Sequence, residues 1–301
     1  MRDGRESFFA PFGRSVWQTS RNPAPLDSIW SASTFLSDAR IFMATLLYIF
    51  PHPDDESFGP APALARQQRA GHDVHLLTLT RGEATTQRVR LGYSKDKMGA
   101  VRVAEMEAVA DALNLSSLTV LDLPDGALSA LDPRHLEALV MDTLDAYTPD
   151  VVATYPVHGI SGHPDHLVTH AVVKRAVCQR RAAGAATPKR LAFFTLPPPH
   201  DDPHRPDHLQ HSSHAAIDCI VPVDGASLAA GYDALACYET YQSVVDAHQP
   251  LRTVKDEGVA FELFGEMHQP VLPDLTQAFQ PDALPPPYRS PTVATGTRSI
   301  S

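Results

Sequence analysis

Short runs of apolar residues alternate along the chain with longer segments in which apolar positions recur every three or four residues. The short runs are typical of buried parallel strands, and the longer segments are typical of amphipathic helices. We predict strands at about residues 43–50, 74–79, 118–122, 150–155 and 190–196. We predict helices between them, at about residues 61–70, 98–113, 133–147 and 165–183. This alternation predicts an α/β fold: a Rossmann-like, doubly wound, mostly parallel sheet with helices on both faces.

Both ends of the chain lack this pattern. Residues 1–42 show no sustained periodicity and are predicted to be a disordered or extension segment. Residues 269–301 are predicted to be a proline-rich C-terminal tail. Neither end is expected to contribute to the core. The sequence therefore predicts one domain over residues 43–268, beginning near Met43.

Charge limits the classes of partner. The 301 residues carry a formal net charge of -10 at pH 7, and no run of lysine and arginine stands out from this acidic background. A broad surface for nucleic acid or for anionic lipid is therefore not expected. We predict a small-molecule partner, and a homo-oligomer is compatible with the sequence.

Cysteine use and hydropathy predict a cytoplasmic location. Cys178, Cys219 and Cys237 are far apart in the chain, form no CxxC pair and are odd in number, as expected in a reducing compartment. The longest apolar run, residues 41–50, is much shorter than the roughly 20 residues that a membrane-spanning helix needs.

Two clusters of acidic residues and histidines follow predicted strands. In a doubly wound sheet, ligands bind beyond the carboxyl ends of the strands, so we expect the active site at this edge. The first cluster, residues 51–56, follows the first strand. It places His52 three residues before Asp55 across a turn stiffened by Pro53, which suits joint coordination of one metal ion. Asp54 is then a second, uncoordinated carboxylate beside the ion.

The second cluster, residues 162–166, follows the strand at 150–155. Pro164 is suited to open a helix, so His163 and His166 lie one turn apart and can face one cavity. Hydrolytic zinc sites have three protein ligands and an open position for water, and His52, Asp55 and His166 supply three. Either cluster alone would more often be a helix cap with a nearby imidazole. The combination of both at one sheet edge favours a metal site.

These motifs resemble those of the LmbE-like, or PIG-L, zinc-dependent N-acetylglucosaminyl deacetylases, which include the sugar deacetylases of bacillithiol and mycothiol synthesis. The resemblance covers about residues 43–265. It is carried by His-Pro-Asp-Asp-Glu at 52–56 and His-Pro-Asp-His at 163–166. Three further elements are similar to the family's motifs: Thr-Arg-Gly-Glu at 80–83, Arg102 with Glu105, and Asp125 with Gly126.

The resemblance implies a hydrolase that removes the N-acetyl group from an N-acetylglucosaminyl conjugate, such as a malate or inositol conjugate in low-molecular-weight thiol synthesis. It implies zinc on the three residues named above, although ferrous iron or another divalent ion is compatible with the same ligands. Asp54 would be the general base, and His163 would assist at the carbonyl oxygen or the leaving amine.

The resemblance also implies that Glu83, Arg102 and Asp125 approach the substrate. Asp165 is predicted either to orient a neighbouring imidazole or to be a solvated acid at a helix N-terminus. One position departs from the family pattern: some relatives have a tyrosine where this chain has Ser161. Because a bound metal ion polarises the carbonyl itself, loss of that donor need not abolish activity.

Two other activities fit parts of the pattern. The first is an amidase that acts on sugar-thiol S-conjugates with the same metal centre. The second is a non-haem iron oxygenase, because His52, Asp54 and His166 also form a set of two histidines and one carboxylate. The β/α alternation disfavours the oxygenase, since familiar enzymes with that set are β-rich barrels.

Overall fold

A mixed sheet of eight strands forms the centre of the computed structural model, which describes residues 17–20, 43–199 and 205–279. The strands are β1 (Trp17–Ser20), β2 (Thr45–Phe50), β3 (Asp73–Thr80), β4 (Ser117–Leu123), β5 (Val151–Thr154), β6 (Arg190–Thr195), β7 (Cys219–Val221) and β8 (Val259–Leu263). Their order across the sheet is β1-β4-β3-β2-β5-β6-β8-β7. The five strands from β4 to β6 are parallel, and β1, β8 and β7 pair antiparallel with their neighbours.

Helices cover both faces of the sheet. The described helices are α1 (Ala61–Arg69), α2 (Gln87–Arg90), α3 (Lys95–Ala112), α4 (Pro133–Tyr147), α5 (Pro164–Ala182), α6 (Gly225–Ala236), α7 (Gln242–His248) and α8 (Val254–Glu257). Residues of α1, α3 and α6 pack in one hydrophobic core, and residues of α4 and α5 pack in the other.

The central strand β2 supplies side chains to both cores. Leu46, Tyr48 and Phe50 face the core on the α1 side, whereas Leu47 and Ile49 face the opposite core. All five are fully buried, as expected for a parallel strand covered by helices on both faces. This burial fixes the position of the turn that follows β2, where the first predicted cluster lies.

The predicted fold class is confirmed. The five predicted strands and four predicted helices are present, with ends that differ by a few residues from the predicted bounds. The antiparallel strands β7 and β8 were not predicted. β7 has only three residues, too few to show a hydrophobic period.

The predicted boundaries of the domain are too narrow at both ends. Trp17–Ser20 pairs with β4, although residues 1–42 were predicted to be an extension, and the rest of that segment lies outside the described residues. At the other end, Leu275 is fully buried in the core although it lies in the predicted tail. The backbone carbonyls of Leu275 and Gln277 accept hydrogen bonds from Arg190, whose side chain is 1% exposed and also pairs with Glu266. Burial of an arginine requires such partners, so residues up to Gln277 belong to the domain.

Among the described residues, none of the helices has the length and apolar composition needed to cross a membrane.

We expect Leu275→Ala to lower the free energy of unfolding by about 2–5 kcal/mol, the usual cost of truncating a buried leucine. Met267→Ala is the control, since Met267 is 90% exposed and its loss should change stability by less than about 0.5 kcal/mol. Chemical denaturation of both variants measures the difference. Equal stability of the two would contradict the assignment of Leu275 to the core.

Candidate metal centre and active site

The turn after β2 presents the first cluster at the carboxyl edge of the sheet. Within this turn, the backbone N–H of His52 donates to Oδ2 of Asp55 at 2.8 Å, and this bond holds the carboxylate beside the imidazole. Asp54 adopts a left-handed backbone conformation with φ of 86°. Aspartate and asparagine adopt this region more readily than most residues do, so the turn selects a short polar side chain here.

The second cluster opens α5. Nδ1 of His163 accepts a hydrogen bond from the backbone N–H of Asp165 at 3.2 Å, so His163 is the N-cap of this helix. In the first turn, Nδ1 of His166 lies 2.9 Å from the backbone oxygen of Gly159. Because a carbonyl only accepts, Nδ1 of His166 carries the proton and its Nε2 lone pair is available to a metal ion.

The three predicted ligands meet at Asp55. Its Oδ2 lies 3.5 Å from Nδ1 of His52, and its Oδ1 lies 3.4 Å from Nε2 of His166. Ligand atoms on one tetrahedral zinc ion are about 3.4 Å apart, because zinc–ligand distances are about 2.0–2.2 Å. Asp55 therefore lies at ligand spacing from each imidazole, through a different carboxylate oxygen in each case.

The second nitrogen of His52 faces two further carboxylates. Nε2 lies 3.2 Å from Oδ2 of Asp165 and 3.3 Å from Oδ1 of Asp125. Asp165 is fully buried, and the backbone N–H groups of Gly126 and Leu128 donate to it. If Nε2 donates its proton to these acceptors, Nδ1 is left free to bind a metal, which is the common arrangement around metal-binding histidines.

The charges around His52 favour a cation. Burial lowers the pKa of His52, but the hydrogen bonds and charges of Asp165, Asp55 and Asp125 outweigh it and raise the pKa to about 10. The pKa of Asp55 is depressed: burial opposes this shift, and His166 and His52 outweigh burial. An ionised Asp55 between two imidazoles is a donor set that suits a divalent ion.

Among the described residues, two groups of three side chains bring one ligand atom each within 4.8 Å of one another, and neither group contains Asp55. They are His52 with His163 and His166, and His52 with Asp125 and Asp165. The second group is explained by the hydrogen bonds that orient His52. The first makes His163 the alternative to Asp55 as a ligand, although Nδ1 of His163 already caps α5.

Asp54 is paired with a buried arginine. Its Oδ2 accepts from Arg102 at 2.7 Å, and the same guanidinium donates to the backbone oxygen of Pro53. Arg102 is 1% exposed, and the ring of Tyr241 lies 4.1 Å from its guanidinium carbon. Burial raises the pKa of Asp54 to about 6, against the opposing charge of Arg102. This position does not support the predicted direct contact of Arg102 with substrate; it fits a residue that orients Asp54.

The other two predicted substrate residues lie next to each other. Oε1 of Glu83 accepts from the backbone N–H of Asp125 at 3.1 Å, and Oδ2 of Asp125 accepts from that of Ala84 at 2.6 Å. Oε2 of Glu83 is buried and has no hydrogen-bond partner among the described residues. A hydroxyl group of a ligand could supply that partner.

Sequence reasoning missed two tyrosines. The hydroxyl of Tyr155 donates to Oδ1 of Asp55 at 2.6 Å, and its ring stacks on that of His166 at 4.1 Å. Tyr155 ends the strand predicted at 150–155, so its place at the functional edge was a signal that could have identified it. Tyr238 accepts from the backbone N–H of Asp54 at 2.8 Å and donates to Glu56. It lies 184 residues from Asp54 in the chain, and no local pattern indicates this contact.

Ser161 is exposed, and its hydroxyl oxygen lies 3.4 Å from Nδ1 of His166. It therefore contacts a proposed ligand on the nitrogen that faces away from Asp55.

Comparison with known proteins finds similarity to proteins named as deacetylases. Residues 47–177 match the family PIG-L, described as GlcNAc-PI de-N-acetylase. A relative from Kineococcus radiotolerans, named 1D-myo-inositol 2-acetamido-2-deoxy-alpha-D-glucopyranoside deacetylase, is 31% identical over 179 residues. The alignment covers 49% of this chain and 50% of the relative, so the chain spans half the length of that protein.

Solved structures share the fold at low sequence identity. A deacetylase-bog complex from the biosynthesis pathway of teicoplanin has a TM-score of 0.56 and 16% identity, over 73% of this chain and 97% of that one. The 4-carboxy-2-hydroxymuconate hydratase of Pseudomonas putida has a TM-score of 0.52 and 18% identity, over 73% and 95%. The fold alone is thus compatible with different chemistry. The residues of both clusters lie within the segment that matches the PIG-L family model, and that segment spans less than half of the chain.

Proposed function

We propose that this chain is a metal-dependent hydrolase that cleaves the N-acetyl amide of a glucosaminyl conjugate. The observation that carries the proposal is the position of Asp55 between the available nitrogens of His52 and His166, with the uncoordinated carboxylate of Asp54 beside it. The family match and the name of the Kineococcus relative support the same substrate class.

His52, Asp55 and His166 would hold the ion, zinc or another divalent metal. When bound, such an ion polarises an amide carbonyl and lowers the pKa of water toward neutrality. The residues fit this group because the carboxylate of Asp55 contacts both imidazoles and because the carboxylates of Asp125 and Asp165 face the other nitrogen of His52. Asp165 acts through His52 and is a positioning residue.

Asp54 would take the proton from the attacking water. Arg102 fixes one carboxylate oxygen, and Tyr238 fixes the backbone N–H of the same residue. These contacts hold Asp54 in a single orientation, as a general base must be held to act at a defined atom.

His163 would donate to the carbonyl oxygen or to the departing amine. Its Nδ1 accepts from the backbone of α5, so the neutral ring carries its proton on Nε2. Burial lowers the pKa of His163, and the charges of His52 and His166 lower it further. The resting imidazole is therefore neutral and can donate a hydrogen bond from Nε2.

Glu83 and Asp125 would bind sugar hydroxyl groups, as the unpartnered Oε2 of Glu83 supports. Between a malate and an inositol conjugate, the name of the Kineococcus relative favours inositol. A sugar-thiol S-conjugate stays as a second candidate, since it would use the same reactive residues. The non-haem oxygenase is disfavoured because Asp54, which that metal site needs, is paired with Arg102 instead of with the histidines.

Removal of the metal is expected to abolish hydrolysis, and zinc, ferrous iron or another divalent ion is expected to restore it, because the ligands supply no substitute for its charge. The measurement is deacetylation of N-acetylglucosaminyl inositol, N-acetylglucosaminyl malate and free N-acetylglucosamine, with metal content determined in parallel. Full activity in protein verified to be free of metal would refute the proposal.

Asp54→Asn and Asp55→Ala should have different effects. Asn keeps the left-handed backbone and an oxygen for Arg102 but cannot accept a proton, so metal content should stay near one ion per chain while kcat falls by about 10²–10⁴. Asp55→Ala removes a ligand and should sharply reduce metal content. Elemental analysis and steady-state kinetics measure both effects, and thermal melts check that each variant is folded.

His163→Ala distinguishes the two possible ligand sets. If Asp55 is the third ligand, His163→Ala keeps its metal and loses turnover. Metal loss from His163→Ala with metal retained in Asp55→Ala would show that His163 is the ligand.

A further inference from the structure

A cavity of about 240 Å³ opens beside Asp54, Asp55 and His166. Arg205, His208 and His248 are among the polar residues that line it, but most of its surface is apolar and includes Phe58, Ile160, Phe194, Leu196, Leu209 and Pro250. The catalytic mechanism proposed above uses none of these six side chains. An acetyl methyl group is about the size of one water molecule, whose volume is about 30 Å³, so acetyl leaves most of this space empty.

The order of the strands separates the polar and apolar sides of the site. The proposed ligands follow β2 and β5, which are neighbours at the centre of the sheet. Glu83 and Asp125 follow β3 and β4 on one side of this pair. Phe194 and Leu196 lie on or just after β6 on the other side. An amide held at the centre with its sugar toward Glu83 directs its acyl group toward the apolar cavity.

Ile160 occupies its place in the wall at a conformational cost. Its φ is 58°, a left-handed conformation that β-branched residues rarely adopt, and it is 7% exposed. The adjacent carbonyl of Gly159 faces His166, and the carbonyl of Ile160 accepts from the backbone N–H of Gln210 at 2.7 Å. Asparagine or glycine would adopt this conformation with less strain. The presence of isoleucine despite the strain therefore indicates that an apolar side chain has a function at this position.

Gly59 makes room for a second part of the wall. Its φ is 150°, and a Cβ built on it would collide with the ring of Phe194. Any side chain at this position would displace that ring from the cavity. The left-handed backbone at Ile160 and the absence of a side chain at Gly59 therefore both shape the apolar wall of the cavity.

We propose that the cavity binds the acyl chain of the scissile amide, so that the chain hydrolyses glucosaminyl amides with apolar acyl groups of about four to eight carbons as well as N-acetyl. This inference rests on the proposed function and specifies its substrate class. The bond broken is the same amide C–N bond; water supplies the hydroxyl of the released carboxylic acid and the proton of the released amine.

The test compares N-acetylglucosamine, N-hexanoylglucosamine and hexyl N-acetylglucosaminide with the metal-loaded protein. The last two carry a six-carbon chain at different positions: a hexanoyl group on the nitrogen at C2, and a hexyl group on the anomeric oxygen at C1. Burial of one methylene corresponds to about a fourfold gain in kcat/KM, so four added methylenes in a partly open cavity should raise kcat/KM at least about tenfold. We expect that gain for the N-hexanoyl compound and not for the hexyl glycoside.

Two substitutions in different loops test the wall. Ile160→Asn and Leu209→Ser should each lower the ratio of hexanoyl to acetyl kcat/KM by at least about fivefold. Leu228→Ser is the matched control, because Leu228 packs on the same core as Leu209 but does not line the cavity, and it should leave the ratio unchanged. Calorimetric titration with hexanoate and acetate adds a readout that is independent of turnover, with hexanoate expected to bind at least about tenfold more tightly.

The outcomes separate this inference from the proposed function. Hydrolysis of N-acetyl at a rate equal to or above that of N-hexanoyl would overturn the inference and leave the proposed function in place. A gain for the hexyl glycoside alone would show that the cavity binds the aglycone, which also overturns it. Failure of the metal-loaded protein to hydrolyse any of the amides would refute both.

Discussion

The arrangement of this site depends on the repulsion among four carboxylates that converge at one edge of the sheet. Asp54, Asp55, Asp125 and Asp165 all lie within contact distance of His52 or Arg102. Such buried charges are tolerated only where cations and hydrogen-bond donors offset them. Arg102 supplies a permanent positive charge beside Asp54. The other three carboxylates depend on a proton on His52 or on a metal ion for a positive charge. This difference explains why two adjacent aspartates can have different roles.

Much of the fold and of the site could be predicted from the sequence, because both depend on short segments. The apolar run of β2 and the turn that follows it are contiguous, so the positions of His52 and Asp55 could be derived together. The contacts that join distant segments could not be derived in this way. Tyr238 beneath Asp54 and Leu275 in the core are separated from their partners by long stretches of chain, and neither stands in a pattern that indicates its contact.

Arg102 shows the limit of inference from a motif. The resemblance implies contact with substrate, but Arg102 is 1% exposed and pairs with Asp54, which suits a role through that carboxylate. The structural similarity to a hydratase carries the same lesson at the level of the fold. Chemistry in this architecture is set by the loops at the carboxyl edge and by which carboxylate each cation engages, so function has to be argued from those contacts.

The anchoring of Arg190 bears on how the protein is made in the cell. This arginine lies at the start of β6, yet its carbonyl partners at Leu275 and Gln277 are 85 and 87 residues later in the chain. During translation, β6 leaves the ribosome long before those carbonyls exist, so its buried guanidinium lacks partners until synthesis of the domain is almost complete. Because domains tend to fold as units, the part of the sheet around β6 should pack fully only after residues 275–277 have left the ribosome. A nascent chain stalled before residue 275 would therefore expose this edge to chaperones.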